Sequence, residues 1–342
     1  MAAATPPVTV GQSLGNALKG PLHTLWAVAC SPDGSQAAGG SPFDGKGCIY
    51  RWNPATGKLI GEPFRHFDPQ RLDVRLETVN SLAFSPDGRE LAAGVTAEGS
   101  SSHRVLRWST VSGEMLESSD AQDTPTVAVC LAYAPDGGTL AAGCLDGSLR
   151  QWSTHTGKPI GRVVHHKAPV TSLAFSPGGD VLAYGTRAGD VRRMGLATGK
   201  VYAVWSTKTP GTDVERAANA LAFSPDGQRL ACAGGDYTIH QWNTATGRRL
   251  NPIELSAEPR SVFFSPDGKE LIASYGATIQ RWSVGTGEKV GRPFPGVGAG
   301  KLGMVAASAD RETIIAAIGN VIARWHGYNT PIVQLDPVEL DF

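Results

Sequence analysis

The chain has 342 residues, and its 31 Lys+Arg balance 31 Asp+Glu, so the net positive charge of a whole-chain nucleic-acid or membrane-surface binder is absent. Its 42 Gly and 23 Pro break up long helices, while a hydrophobic content of 41% still fills a core. Together these exclude disorder and point to many short strands joined by tight turns.

The start of the chain, residues 1–7, lacks a basic n-region and a long apolar h-region, and no run of 18 apolar residues occurs. A cytoplasmic protein with no membrane partner is therefore expected. The five cysteines, Cys30, Cys48, Cys130, Cys144 and Cys232, lie in apolar strand-like runs without CxxC pairing. They read as reduced core residues.

One turn recurs along the chain: Ser31-Pro32-Asp33-Gly34, Ser85-Pro86-Asp87-Gly88, Ala134-Pro135-Asp136-Gly137, Ser176-Pro177-Gly178-Gly179, Ser224-Pro225-Asp226-Gly227 and Ser265-Pro266-Asp267-Gly268. A degraded seventh copy begins at Ser308. The spacings are 54, 49, 42, 48, 41 and 43 residues, close to the length of a four-stranded propeller blade with loop insertions. Each repeat reads as an alternating strand, the turn, a small-residue strand such as Leu140-Ala141-Ala142-Gly143, and a strand ending in Trp52, Trp108, Trp152, Met194, Trp242, Trp282 or Trp325. The period-2 pattern around each tryptophan marks it as an inter-blade packing residue. In six repeats a Gly follows five residues on, where a tight turn with positive φ leads into an outer strand.

The pattern Ser-Pro-Asp-Gly, small residues, Trp and Thr-Gly is similar to the WD40 repeat, particularly the regular arrays common in bacteria, and the resemblance covers nearly the whole chain. It implies an all-β, seven-bladed propeller with four antiparallel strands per blade. We expect it over residues 8–335, with terminal extensions at 1–7 and 336–342. Residues 10–15 look like the turn and outer strand at 56–61 and are expected to complete the seventh blade; residues 332–335 compete for that place. The sequence also departs from the family. No repeat holds the complete His, Ser or Thr, Asp and Trp set, since Asp146 and Asp236 have a Trp but no His before the first strand, and His166 belongs to the repeat with Met194. The Asp that usually follows Trp is replaced at Asn53, Ser109, Ser153, Gly195, Asn243, Ser283 and His326.

The residue before each of these positions is Arg or Gln: Arg51, Arg107, Gln151, Arg193, Gln241, Arg281 and Arg324. These could form a basic ring for an acidic partner, but the favoured reading packs their stems along the strand and pairs their heads with neighbours. Surplus length falls at 43–46, 65–75, 96–104 and 208–216, all on the face of the second turns and inter-blade loops. That face is the expected protein-binding surface, carrying His23, Trp26, Arg65, His66, Phe67, Arg71, Arg75, Trp205, Lys208 and Arg216.

Catalytic chemistry is not indicated. The eight His show no paired metal-ligand spacing, and there is no Gly-x-Ser-x-Gly elbow. The GxGxxG at 298–303 lacks a following helix and reads as a loop. The expected function is a monomeric, non-catalytic scaffold or sensor that binds one or more proteins without cofactor or metal. Two alternatives are an enzyme with a site at the axial opening and a nucleic-acid-binding propeller.

Overall fold

The computed structural model describes residues 18–19, 27–40, 48–64, 76–97, 103–116, 123–124, 126–207, 216–294, 302–310, 313–318 and 321–326. They form seven antiparallel sheets, each a blade. Blade 1 comprises Ala27–Cys30, Ala37–Gly40 and Ile49–Trp52, with bridges from Ile49 to Phe64 and Trp52 to Leu59 in place of a regular fourth strand. Blade 2 comprises Leu76–Phe84, Glu90–Ala97 and His103–Ser109. Its outer strand is split into Met115–Leu116 and Asp123–Thr124, both paired with the third strand.

Blade 3 runs through Ala128–Tyr133, Thr139–Cys144, Ser148–Ser153 and Val164–His165; blade 4 through Val170–Phe175, Val181–Thr186, Asp190–Gly195 and Val201–Ser206. Blade 5 holds Ala218–Phe223, Arg229–Gly234, Thr238–Asn243 and Ile253–Glu254, and blade 6 holds Pro259–Phe264, Glu270–Tyr275, Thr278–Ser283 and Lys289–Phe294. Blade 7 consists of Leu302–Ala307, Thr313–Ile318 and Val321–His326, completed by the N-terminal Leu18–Lys19.

That last pairing places Leu18 opposite Ile322 and Lys19 opposite Val321. An N-terminal segment thus joins the last blade, downstream of the expected residues 10–15; those and the competing 332–335 lie outside the described residues. The ring is joined at a second point, where the Ala309 N–H of the seventh turn donates to the Pro32 carbonyl of the first at 2.8 Å. A closed ring leaves no inner sheet edge available for pairing with other chains.

The core lies between blades. Seven buried clusters coincide with the seven junctions, and each includes the Trp or Met of the later blade packed on the strands of the earlier one. Trp52 closes the set by packing on Ile315, Ala317 and Ile322 of blade 7. The six tryptophans are 0–3% exposed and Met194 is 1% exposed, so Met194 takes the tryptophan's place as a smaller, more adaptable filler.

Small residues in each second strand have a physical cause. A Cβ on Gly40 would meet Val79 Cγ1 at 2.4 Å, and one on Gly143 would meet Val170 Cγ1 at 2.5 Å. At these two positions the second strand lies directly against the first strand of the next blade, and only a hydrogen fits. A Ser at a shared position of the first strand ties the same junction: Ser81 Oγ donates to the Ala128 carbonyl at 2.9 Å and Ser172 Oγ to the Ala218 carbonyl at 2.8 Å. In blade 3 the position holds Cys130, whose Sγ lies 3.7 Å from the Val170 carbonyl. Burial pushes the Cys130, Cys144 and Cys232 thiols up, and none of the five cysteines forms a disulfide.

Candidate interaction surface

The recurring turn is built from its own side chains. In Ser85-Pro86-Asp87-Gly88, Ser85 Oγ donates to Asp87 Oδ1 at 2.6 Å and accepts the Glu90 N–H at 2.9 Å. Gly88 takes φ 71°, which L side chains rarely adopt. The same bonds recur at Ser31, Ser224 and Ser265. Each turn also rests on the next, with Pro86 Cδ 3.8 Å from the Cβ position of Gly137 and Pro135 Cδ 3.5 Å from that of Gly179. This rim is a structural belt.

Five of the Arg and Gln residues that precede Trp or Met194 are likewise occupied within the ring. Arg107 Nη1 pairs with Glu90 Oε2 at 2.9 Å and Arg281 Nη1 with Glu270 Oε2 at 3.2 Å, both within one blade. Arg51 Nη1 donates to the Thr110 carbonyl of the next blade at 2.7 Å, and Arg193 Nη1 donates to the equivalent Thr244 carbonyl. Gln241 Nε2 donates to the Asn251 carbonyl at 3.2 Å. Packed stems with paired heads are therefore observed at these positions, rather than a ring of exposed cations.

Of the expected surface residues, Trp205 and Arg216 are described; His23, Trp26, Arg65, His66, Phe67, Arg71, Arg75 and Lys208 lie outside the described residues. Trp205 is on the outer strand Val201–Ser206 and stacks on Trp242 of blade 5 with ring centroids 5.3 Å apart and planes at 8°. Phe64 stacks on Trp108 in the same way, at 5.6 Å and 7°. Arg51 and Arg193 cover the outer faces of these two aromatics at 4.1 and 5.6 Å. Trp205 is thus a junction residue rather than part of an inter-blade loop, because the outer strand of blade 4 runs on through it.

Arg216 does sit in the inter-blade connection. It reaches the second turn of blade 5, donating from Nη1 to the Gly235 carbonyl at 3.1 Å with its guanidinium 5.8 Å from the Tyr237 ring centroid. Tyr237 is itself 48% exposed. This places an Arg and an aromatic side by side on the face where the surplus loops were expected.

A groove with a volume of about 660 Å³ opens at the junction of blades 4 and 5. Its walls include Arg193, Tyr202 and Trp205 on one side and the third turn of blade 5, from Thr244 to Gly247, on the other, with Asp180 at one end. Three local features meet at it. Gly195 stands where most blades have Ser or Asn, and a Cβ there would meet the Tyr202 hydroxyl at 2.5 Å. Val181 stands where blades 2 and 6 have Glu90 and Glu270. The outer strand spans six residues, as in blade 6, where blades 3 and 5 have two. All three were present in the sequence; only folding shows that they converge.

One pair was missed in the sequence. His240, two residues before Trp242, places Nε2 3.0 Å from both carboxylate oxygens of Asp236 in the second turn. The Arg249 guanidinium contacts His240 Nδ1. Since arginine only donates, Nδ1 accepts and Nε2 carries the proton to Asp236. His240 is 1% exposed, so the pair ties the second turn to the third strand from within the blade. Among the described residues no group of three His, Cys, Asp or Glu is placed to hold a metal ion.

Comparison with known proteins agrees with this architecture. The family model described as "WD domain, G-beta repeat" matches residues 72–109 and 120–153, and the "Anaphase-promoting complex subunit 4 WD40 domain" model matches 173–284. These matches fall on more than half of the chain and coincide with blades 2 to 6. The chain is a WD40-repeat protein.

Among WD40 relatives, it is 24% identical over 299 residues to "Cell division cycle 20.1, cofactor of APC complex" from Arabidopsis thaliana, covering 83% of this chain and 60% of that protein. It is 25% identical over 302 residues to "Protein FIZZY-RELATED 1" from the same plant, covering 84% and 57%. It is 23% identical over 229 residues to "Protein groucho" from Drosophila melanogaster, covering 66% and 23%. The chain thus spans 60% or less of the length of these relatives. In structure it is similar to a chain of the "Crystal Structure of Mitotic Checkpoint Complex", with a TM-score of 0.75 at 20% identity over 96% of this chain and 99% of that one. That likeness concerns the fold.

Proposed function

We propose that this WD40 propeller is a non-catalytic, monomeric scaffold that binds one or more protein partners through its loop-rich face. The observation that carries the reading is the use of its recurring polar residues. The Arg, Gln, Ser and Asp of the repeats are occupied in holding turn to strand and blade to blade. Such a frame loses little conformational freedom when a partner docks on it. The relatives support the same reading, since one is named as a cofactor of a complex and the structural neighbour is a chain of the Mitotic Checkpoint Complex.

The test is affinity capture from lysate of the source organism. It compares the wild-type chain with a folded variant carrying Arg65→Ala, Arg71→Ala and Arg216→Ala. A protein retained by the wild type at near-stoichiometric level and lost from the variant supports the scaffold and places its surface on the loop-rich face. Capture of no protein by either chain contradicts the scaffold.

A further inference from the structure

The groove between blades 4 and 5 presents an arginine without the in-blade carboxylate that blades 2 and 6 supply. Arg107 and Arg281 each face a Glu at the start of the second strand of their own blade. The corresponding residue beside Arg193 is Val181. Arg193 spends Nη1 on the Thr244 carbonyl, its buried Nε has no acceptor, and Nη2 has none among the described residues. Burial lowers the pKa of this guanidinium, opposed by the Asp180 carboxylate nearby. An acceptor arriving at Nη2 would restore the interaction that blades 2 and 6 supply internally.

The surroundings favour an extended acidic chain. Lys200 and Arg248, both exposed, lie close in sequence to the groove's lining on its two sides. Tyr202 is 54% exposed, an amphipathic platform whose hydroxyl lies 3.1 Å from Thr198 Oγ1. The outer strand Val201–Ser206 pairs only with Asp190–Gly195 among the described residues. Its other edge can therefore receive an added strand. A volume of about 660 Å³ is in the range that holds a few side chains.

We propose that this groove binds an extended acidic segment of a partner protein, seating one carboxylate against the Arg193 guanidinium and a neighbouring apolar side chain against Tyr202. The inference rests on the scaffold reading above and adds a second contact for such a partner, on the face of the first and third turns rather than on the loop-rich face. Asp180 works against the incoming acid. Its Oδ1 accepts from Ser176 Oγ at 2.7 Å, an arrangement that Asn can keep without the charge.

The experiment uses the full chain and a positional-scanning panel of short fluorescein-labelled peptides with a fixed central glutamate and randomised flanks, read by fluorescence anisotropy. The expected result is saturable, salt-sensitive binding by a subset with an apolar flanking residue. Affinity should fall roughly ten- to a hundredfold when the central glutamate becomes glutamine, the loss expected for one charged hydrogen bond. A similar loss is expected for Arg193→Met, a partial one for the exposed Tyr202→Ala, and a gain of about threefold for Asp180→Asn. The peptide-side change needs no altered protein, so a poorly folded Arg193→Met cannot mask the answer.

The proposal is overturned if no peptide binds with a preference for glutamate over glutamine. It is equally overturned if a folded Arg193→Met binds the panel as the wild type does. Either result together with continued capture of a protein partner removes the acidic-segment proposal and leaves the scaffold standing; loss of both removes both.

Discussion

Gly143 lies so close to Val170 that a single added methyl would sit 2.5 Å from the valine Cγ1, across the junction between blades 3 and 4. Its φ is unremarkable, so the constraint is space and not backbone conformation. Gly143→Ala should therefore cost about 1–3 kcal/mol through overpacking. Gly285, where an added Cβ would meet only Ser283 Oγ at an ordinary 3.9 Å and φ is not positive, is the control, and Gly285→Ala should leave stability unchanged or raise it by about 0.4–1 kcal/mol. Urea denaturation of the two variants checks the contrast.

Glu90 serves two blades at once. Its Oε2 accepts from Arg107 Nη1 at 2.9 Å and from the Tyr133 hydroxyl of blade 3 at 3.2 Å. Burial, together with the charge of Glu90, holds the Tyr133 phenol well above its ordinary value. Glu90→Ala should cost about 1.5–3 kcal/mol, because a largely buried guanidinium loses its anion and a phenol its acceptor. Glu90→Gln should cost less, since it keeps an acceptor. Thermal melts of both variants order the two losses.

The turn carboxylates set the response to acid. At Asp33 burial pushes the pKa up, but bonds from the Ser31 and Ser35 hydroxyls and the Ser35 N–H outweigh it and leave it below the ordinary value. At Asp87, Asp226 and Asp267 the bonds from Ser85, Ser224 and Ser265 are the largest cause of the same lowering. Groups lowered in the folded state stabilise it fully above their unfolded pKa of about 3.9, and that contribution is lost as the pH falls through the folded value. The denaturation midpoint should hold from neutrality to about pH 5 and fall below about pH 4. Asp87→Asn combined with Asp226→Asn should lower stability at neutral pH and flatten that fall, as equilibrium denaturation across pH would show.

Deleting residues 1–20 removes Leu18–Lys19 from Val321–His326. The last strand of blade 7 then becomes an open edge, and unpaired edges invite pairing with other chains. The expected outcome is a lower melting temperature and concentration-dependent self-association, seen by light scattering. A truncated chain that melts and scatters like the full-length protein would show that the N-terminal strand contributes nothing to closure.

Much of this architecture was legible because propeller repeats write it in residues with narrow physical requirements. A Ser-Pro-Asp-Gly turn needs a hydroxyl, a fixed φ, a carboxylate and a positive φ in that order. A second strand pressed on its neighbour favours small residues, as Gly40 against Val79 shows. The role of Arg51 or Arg107 was also readable, since a cation next to a buried Trp must find a partner. Less legible was whatever depends on convergence between repeats. Trp205 lies in a stretch of variable length and looked like a loop residue, but the outer strand of blade 4 carries it onto Trp242. Asp236 seemed to lack a histidine because its partner His240 follows it by four residues in the same blade. The groove at Arg193 needed Val181, Gly195 and the third turn of blade 5 to be placed together, and those residues are far apart in the chain.

The most direct test of the scaffold is hydrogen–deuterium exchange on the full chain, alone and with a captured partner. The account expects new protection confined to the inter-blade connections and the outer strand at residues 201–206. The first strands, such as Ala128–Tyr133 and Val170–Phe175, should exchange at unchanged rates, as a rigid frame requires. Protection spread through the first strands of many blades would contradict it, since the ring would then be ordered by its partner rather than presenting a surface already formed.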